Sequence, residues 1–212
     1  MTYAQSIIAG KYKLPISMLH KQAYCEYQIF LEAVRGVEIG KSAAMEEGTE
    51  HHAALDEEHA EKAVVMSLED ALATATKDIP IVYRDLKVKG KRLVGRIDEV
   101  QITKNLIKII DDKPVEPGRK PWLSDIQQVW GYCVAYEEER GIDRQLHGAV
   151  RNREQEIVWE SPYTSIERGY VNEIVDRIYG ILKGERDAVP TKKPNKCDKC
   201  RFKGACDKCL VQ

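Results

Sequence analysis

No apolar run in this sequence approaches the roughly 20 residues that a membrane-spanning helix requires. The first residues, Met1 to Lys13, also lack an apolar signal-peptide core followed by a small-residue cleavage site. We therefore expect no membrane association and a cytoplasmic, reducing location. Six cysteines in such a location are better explained as metal ligands than as structural disulfides. Internal repeats are also lacking, and the length of 212 residues predicts a single domain over residues 1–212.

Net charge is nearly absent as well. At −1, the charge of the whole chain gives no argument for nucleic-acid binding. The charge is unevenly distributed, however, because Pro190 to Cys209 contains seven Lys or Arg against two Asp, a net of +5. Lys87 to Arg92 contains four further cations.

The central feature of the sequence is Leu106 to Lys113, a predicted buried β-strand that ends in charge. Residues two apart on a strand point to the same face, so Asp111 and Lys113 are expected to project side by side. The preceding predicted strand carries Asp98. Two acids and a lysine at adjacent strand ends suit a divalent metal that promotes phosphodiester hydrolysis, with the lysine near the attacking water or the developing oxyanion. The alternative is that these residues are solvated charges at strand ends.

Amphipathic patterns and turn residues place this strand among further strands and helices. Lys89-Gly90-Lys91 predicts the turn of an antiparallel hairpin, and Lys104-Asn105 predicts a second tight turn. The predicted helices are Met18–Arg35, Ser42–Thr76, Ser124–Arg140 (capped by Ser124) and Ser165–Lys183. The predicted strands are Ile79–Val88, Arg92–Ile102, Leu106–Lys113, Arg144–Val150 and Gln155–Ser161.

Two predicted helices place polar side chains on one face, because helical residues four apart are neighbours. Gly48, one turn before His52, leaves room for a close approach to the histidine, although histidines on charged helices are usually solvated. Gln128 and Tyr132 bring an amide and a phenol together, which suits contact with a phosphate backbone. A tyrosine packed in the core with a glutamine at its rim is the alternative.

The loop from Pro114 to Leu123 follows the acid–lysine pair directly and contains Arg119, Lys120 and Trp122. Loops that leave strand ends commonly contact ligands. Cations and an indole in such a loop suit a phosphate chain and a stacked base. The alternative is an ordinary proline-rich connection.

The C-terminal segment contains the strongest local signal, Cys197-x-x-Cys200-x-x-x-x-x-Cys206-x-x-Cys209. Its few apolar neighbours cannot hold these cysteines in a core, so we expect a metal to hold them. Zinc would take the four thiolates of this segment. An iron–sulfur cluster would also take four thiolates, for example three from this segment and one from a distant part of the chain. The two pairs are only five residues apart, which is short for a two-knuckle zinc ribbon. Cys25 alone is better explained as a core residue, but a cluster that recruits it would join the N-terminal helix to the C-terminus.

In this order the motifs resemble the RecB-like, four-cysteine iron–sulfur nucleases of the PD-(D/E)xK superfamily, and in particular the CRISPR-associated exonucleases of spacer acquisition. The resemblance covers nearly the whole chain. Each motif is weak alone, but six motifs in the same order at comparable intervals are specific. They are Cys25, Gly48-x-x-x-His52, Gly95-Arg-Ile-Asp98, Asp111-x-Lys113, Gln128-x-x-x-Tyr132 and Cys197-x-x-Cys200-x-x-x-x-x-Cys206.

The resemblance implies an α/β (α+β) fold with a PD-(D/E)xK restriction-endonuclease-like core, in which helices flank a mixed sheet. An iron–sulfur cluster would close this core, with a cysteine module at residues 190–209 completing the cluster site together with Cys25. The implied activity is a metal-dependent DNA exonuclease on single-stranded ends that processes DNA for CRISPR spacer acquisition. DNA, the CRISPR integrase complex and further copies of the chain are the implied partners.

The same resemblance implies a role for each motif residue. Lys113 corresponds to the catalytic lysine, and Gln128 and Tyr132 correspond to the motif that positions DNA at the active site. The implied Mg²⁺ or Mn²⁺ ligands are His52, Asp98, Asp111 and the backbone carbonyl of Asp112. The implied [4Fe–4S] ligands are Cys25, Cys197, Cys200 and Cys206.

The sequence departs from the family at several positions. Glu26-Tyr27 follows Cys25 where the family commonly has Pro-Arg, and Asp111 stands where the family often has Glu. Asp112 is also an acid, so the motif could be shifted by one residue, and Cys209 could replace Cys206 as a cluster ligand. Three alternative functions therefore stay open: a stand-alone RecB-type repair nuclease, a non-catalytic iron–sulfur scaffold that binds DNA ends, and a zinc-ribbon protein.

Overall fold

The computed structural model of the protein describes residues 3–40, 66–75 and 80–211. Gly48, His52 and most of the predicted helix Ser42–Thr76 lie outside these residues. The helices are α1 (Tyr3–Ile8), α2 (Ser17–Tyr24), α3 (Glu26–Ile29), α4 (Leu68–Thr74), α5 (Leu123–Arg140), α6 (Ser165–Lys183) and α7 (Pro194–Asp198). The strands are β1 (Leu14–Pro15), β2 (Ile81–Lys89), β3 (Leu93–Ile102), β4 (Leu106–Asp112), β5 (Gln145–Arg151) and β6 (Ile157–Pro162).

The strands form one mixed sheet in which β3 has the most partners. It pairs antiparallel with β2 and β4 and, at its first residues, parallel with β1. β4 pairs in parallel with β5, which pairs antiparallel with β6. Parallel neighbours need a crossover connection, and α5 provides it between β4 and β5. The predicted α/β fold with a mixed sheet flanked by helices is confirmed, and each predicted strand lies within two residues of its observed bounds.

Helix α5 packs so closely on the sheet that two glycines are required beneath it. A Cβ at Gly148 on β5 would lie 2.6 Å from Val129 Cγ1 and 2.8 Å from the Trp130 ring. A Cβ at Gly95 on β3 would lie 2.8 Å from the ring of Tyr132. The absence of these side chains lets the polar residues of α5 approach the strand ends.

The predicted N-terminal helix Met18–Arg35 is wrong as a continuous element. Cys25 has an extended backbone (φ −169°, ψ 112°) and separates α2 from α3, after which a π-helical turn covers Phe30–Val34. The Cys25 amide still donates to the Lys21 carbonyl at 2.8 Å, so α2 ends without a lost hydrogen bond. The break turns the Cys25 thiol toward the C-terminal segment, where the Thr191 amide donates to it at 3.3 Å.

The start of α5 also differs from the prediction, because Trp122 rather than Ser124 occupies the N-cap position. The Asp125 carboxylate reaches back and accepts a hydrogen bond from the Trp122 backbone N–H at 3.0 Å. An acid at the third helical position satisfies a free backbone donor and also complements the helix dipole. The predicted end at Arg140 is confirmed, with Gly141 following at φ +72°.

Within residues 3–40, 66–75 and 80–211, no helix is both long enough and apolar enough to cross a membrane.

Candidate active site

The structure brings five of the predicted site residues into one connected set. Lys113 Nζ lies 2.8 Å from Asp111 Oδ2, and the backbone N–H of Asp112 donates to Asp98 Oδ2 at 2.8 Å. Lys113 Nζ also donates to Gln128 Oε1 at 3.4 Å, and Gln128 Nε2 donates to the Tyr132 hydroxyl at 3.0 Å. The set therefore joins the middle of β3, where Asp98 lies rather than at the predicted strand end, to the end of β4 and the first half of α5.

The backbone pairing is interrupted at Asp98. The pairing of β3 with β4 extends to Glu99 and Ile110, and the pairing of β2 with β3 skips Asp85 and Asp98. Asp85 has a left-handed backbone (φ +57°), a conformation that non-glycine residues adopt at an energetic cost and that recurs at functional sites.

The electrostatics of the set favour a bound cation. Burial raises the pKa of the Asp98 carboxyl well above its usual range, and the neighbouring charge of Asp111 raises it further. Burial would lower the pKa of Lys113, but the Asp111 carboxylate outweighs this effect and raises it, so the ammonium stays charged. Burial and Asp111 also raise the pKa of Tyr132, which stays a neutral phenol. One ammonium thus faces two carboxyl groups.

One buried oxygen of the set lacks a hydrogen bond. Asp111 is only 1% exposed, and its Oδ2 atom has the Lys113 ammonium as an ion-pair partner but no hydrogen bond of good geometry. Such a buried oxygen is costly, and a divalent cation between Asp98 and Asp111 would satisfy it. Among the described side chains, no three His, Cys, Asp or Glu converge on one metal position. The two carboxylates nevertheless fit Mg²⁺, which is commonly held by one or two carboxylates and several waters.

The side chain of Asp112 does not share this site, which removes the ambiguity of register in the acidic motif. Arg151 donates to both of its carboxylate oxygens, from Nε at 2.7 Å and from Nη2 at 3.0 Å. Arg84 Nη2 lies 3.4 Å from the same carboxylate. Asp111 is therefore the acid beside Asp98, whereas the role of the Asp112 carbonyl stays a prediction.

Three residues that surround Asp112 were not identified from the sequence, namely Arg84, Glu99 and Arg151. Together with Asp112, these residues come from four adjacent strands. Glu99 Oε2 accepts hydrogen bonds from Arg84 Nη1 at 2.7 Å and from Arg151 Nη1 at 2.9 Å. A signal for this cluster was present, because each predicted acid is followed directly by a second acid. Strand alternation places such followers on the face opposite to the site.

The structure brings five cysteines from the two chain ends to the lining of one small pocket. Gln28 Nε2 donates to Cys200 Sγ at 3.2 Å, and all six cysteines are free thiols. The thiols that line the pocket do not converge on one point in the described chain. The pocket therefore collects thiol donors from both chain ends, but the described thiols do not form a metal-binding group. The cysteines that line it are Cys25, Cys197, Cys200, Cys206 and Cys209.

Polar contacts also hold the C-terminal segment against the N-terminal helices. The Tyr24 hydroxyl donates to the Lys196 carbonyl at 2.7 Å, and the Tyr27 hydroxyl donates to Asp207 Oδ1 at 2.8 Å. Glu26 is buried and accepts hydrogen bonds from three groups of the C-terminal third. These donors are Arg177 Nη2 at 3.0 Å, Arg186 Nη2 at 3.1 Å and the backbone N–H of Val189 at 3.0 Å.

The loop residues Arg119, Lys120 and Trp122 are exposed. Arg119 Nε forms an ion pair with Glu116 Oε2 at 2.9 Å, so part of its charge is compensated within the loop. Trp122 is 73% exposed and stands at the start of the helix that carries Gln128. An exposed indole at this position offers a stacking surface at the start of α5.

Comparison with known proteins agrees with this geometry. A profile described as the PD-(D/E)XK nuclease superfamily matches residues 28–207. A relative from Myxococcus xanthus named "CRISPR-associated exonuclease Cas4/endonuclease Cas1 fusion" is 25% identical over 205 residues, which is 94% of this chain and 32% of that protein. The chain thus spans about a third of the length of the curated relative that it matches.

Solved structures that match the chain include an alkaline exonuclease, LHK-Exo, from Laribacter hongkongensis. It has a TM-score of 0.46 and 13% identity, covering 85% of this chain and 93% of that chain. A structure of LHK-Exo in complex with dAMP has a TM-score of 0.47 and 12% identity, covering 86% of this chain and 92% of that chain. The profile match and the relative confirm the predicted resemblance, and the chain belongs to the PD-(D/E)XK nuclease superfamily.

Proposed function

We propose that this protein is a divalent-metal-dependent DNA exonuclease that acts on single-stranded ends. The observation that carries the proposal is the connected set of Asp98, Asp111, Lys113, Gln128 and Tyr132 in a member of a nuclease superfamily. A degenerate site would be expected to lose one of these groups. Here each is present, and Asp111 remains buried in spite of the cost.

Each residue of the set has a role in phosphodiester hydrolysis. Asp98 and Asp111 would hold Mg²⁺ or Mn²⁺, with His52 and the Asp112 carbonyl as further proposed ligands. The bound ion would neutralise charge at the phosphate and lower the pKa of water. A water oxygen would form a bond to phosphorus and lose a proton, while the bond from phosphorus to the leaving nucleotide oxygen breaks and that oxygen takes up a proton.

Lys113 and α5 complete this proposed site. The Lys113 ammonium stays charged and stabilises the negative charge that develops on the phosphate oxygens. Gln128 orients that ammonium through its carbonyl oxygen, and the neutral Tyr132 hydroxyl orients Gln128.

The exposed loop before α5 supports single-stranded DNA as the substrate. Trp122 offers a face on which an unpaired base can stack, and Arg119 and Lys120 offer charge for phosphates. We place the activity in CRISPR spacer acquisition, because the relative from Myxococcus xanthus is named as a fusion of an exonuclease and an endonuclease of that system. The proposed location is the cytoplasm. A CRISPR integrase is accordingly the proposed partner, and self-association is a further proposed state. A stand-alone repair nuclease is the competing assignment.

We assign the cysteine pocket to a [4Fe–4S] cluster held by Cys25, Cys197, Cys200 and Cys206. Its support is that cysteines from both chain ends line one pocket. The residues 190–209 would then complete a single nuclease domain over residues 1–212, with the cluster as a structural element. Visible absorbance and iron content of anaerobically purified protein test this assignment. Cys206→Ser should lower the iron content and Cys209→Ser should not. The opposite result would identify Cys209 rather than Cys206 as the fourth ligand.

The test of the nuclease assignment is degradation of end-labelled single-stranded DNA by anaerobically purified protein. Wild-type protein should release nucleotides with Mn²⁺ and none with EDTA, and Asp98→Ala and Lys113→Ala should be inactive with intact fold and colour. The position of the label then gives the polarity. DNA binding without cleavage in every metal would instead favour a scaffold. Co-purification with the integrase subunit encoded nearby would support spacer acquisition over repair.

A further inference from the structure

The two acids of the proposed metal site are each followed by an acid that is locked by arginine. Glu99 follows Asp98, and Asp112 follows Asp111. Arg84 and Arg151 each contact both Glu99 and Asp112 through hydrogen bonds of 2.7 to 3.4 Å. Arg151 donates to both carboxylate oxygens of Asp112. The four charges come from β2, β3, β4 and β5, so the cluster ties together the strands that carry the site.

A direct connection links this charge cluster to the proposed ligands. Arg151 holds the Asp112 side chain, and the Asp112 backbone N–H donates to Asp98 Oδ2 at 2.8 Å. Together with the pairing of Asp112 with Arg151 in the sheet, this side-chain contact holds the peptide that orients the Asp98 carboxylate. Rotation of Asp112 would release that hydrogen bond and turn the proposed ligand away.

Stability alone does not account for the cluster. Glu99, Asp112 and Arg151 are buried, and burying charges costs free energy that their mutual attraction often only offsets. Apolar side chains of similar volume commonly serve as well for stability. A buried, fully paired set of charges is better explained by the geometry that it imposes on its neighbours.

We infer that Arg84 and Arg151 are positioning residues, which set the metal-binding geometry of Asp98 and Asp111 from the opposite face of the sheet. This inference rests on the proposed function. Groups that orient metal ligands through hydrogen bonds typically change metal affinity by about 10–100-fold when they are removed. The arginines pair with acids on the face of the sheet opposite to Asp111 and Lys113, so their effect should be on metal affinity first.

The test compares Mn²⁺ binding, measured by calorimetry on the full chain, with the Mn²⁺ dependence of DNA cleavage. An uncharged variant carries Arg84→Met, Glu99→Leu, Asp112→Leu and Arg151→Met together, so that no charge is left buried without a partner. It should stay folded, bind Mn²⁺ about 10–100-fold more weakly and need correspondingly more Mn²⁺ for half-maximal cleavage. Arg151→Lys keeps the charge but loses the paired hydrogen bonds, and should weaken binding to a smaller extent.

A matched control removes an exposed ion pair at the start of β3. Arg92 contacts Asp176 on α6, and the double variant Arg92→Met with Asp176→Leu should keep the Mn²⁺ affinity and cleavage of the wild type. A folded uncharged variant with wild-type Mn²⁺ affinity would overturn the inference. If the uncharged variant does not fold, wild-type affinity in Arg151→Lys would overturn it equally.

The proposed function is checked separately by Asp98→Ala, which removes a ligand. If Asp98→Ala abolishes Mn²⁺ binding while the arginine variants leave it unchanged, the proposed function stands and the positioning role falls. If the wild-type protein binds no Mn²⁺, both fall.

Discussion

Replacement of Lys113 by methionine should separate chemistry from metal binding. The change removes a charge but keeps most of the side-chain volume. The Lys113 ammonium lies 2.8 Å from Asp111 Oδ2. At an effective dielectric constant of about 20, that separation corresponds to roughly 6 kcal/mol of attraction before the cost of desolvation. The ammonium is therefore charged at the pH of any assay, and methionine removes a full positive charge.

We expect the kcat of Lys113→Met for single-stranded DNA to fall by about 10²–10³-fold, or roughly 3–4 kcal/mol. Mn²⁺ affinity should be maintained or increased, because the metal no longer competes with an ammonium for Asp111. Thermal stability without metal should fall, since two carboxyl groups then face each other without a cation, and the stabilisation by Mn²⁺ should be larger. Single-turnover cleavage at saturating Mn²⁺ measures the first effect, and thermal unfolding with and without Mn²⁺ measures the others.

Lys108 on the same strand provides a matched control. Its side chain is 20% exposed against 19% for Lys113, and its Nζ lies 2.8 Å from Glu160 Oε2. Lys108→Met should keep the wild-type kcat. The reasoning is refuted if Lys113→Met, at saturating Mn²⁺, retains more than about a tenth of the wild-type kcat.

Three further predictions concern the fold and DNA binding. Burial would raise the pKa of Glu26, but its hydrogen bonds and neighbouring arginines hold that pKa below its usual range. Glu26→Gln should therefore cost roughly 1–3 kcal/mol in urea unfolding at pH 7. The wild type loses this extra stability as the pH falls from the ordinary pKa of glutamate through the lowered pKa of Glu26. A stability difference between wild type and Glu26→Gln that does not shrink over this pH range would contradict the lowered pKa. Gly148→Ala should lower stability by about 1–3 kcal/mol because its Cβ would meet α5, whereas Gly169→Ala, with nothing within 4 Å, should not; equal melting temperatures would argue against the close packing. Trp122→Ala should weaken single-stranded DNA binding by about 1–3 kcal/mol in fluorescence anisotropy without changing the melting temperature, and the comparably exposed Ile166→Ala should do neither; unchanged affinity of Trp122→Ala would exclude stacking there.

Local patterns were sufficient to predict most of the elements and the proximity of the acids. Alternation along Leu106–Lys113 placed Asp111 beside Lys113, and the structure has them 2.8 Å apart. The spacing of four between Gln128 and Tyr132 predicted their contact on one helix. These predictions succeeded because each depends on residues close in the chain, whose relative direction follows from the period of a strand or a helix.

Two features of the helices were not predicted. The break at Cys25 comes with a contact to Thr191, far along the chain, so the local helical pattern could not indicate it. The start of α5 was misassigned because the side chain that reaches back is Asp125, which competes with the stronger local signal of Ser124. Tertiary contacts overrode the local helical preference at Cys25, and a competing cap did so at the start of α5.

The amino-acid sequence by itself determined the order of the strands and helices, the superfamily motifs and the pairing of the acids with Lys113, because these follow from local spacing. Strand alternation already favoured Asp111, which shares a face with Lys113, but only the tertiary structure showed what Asp112 does, since two arginines distant in sequence hold its side chain on the other face. The tertiary structure alone also brought the cysteines of both chain ends to one pocket. Such choices depend on long-range hydrogen bonds and burial, which exist only after the sheet has formed.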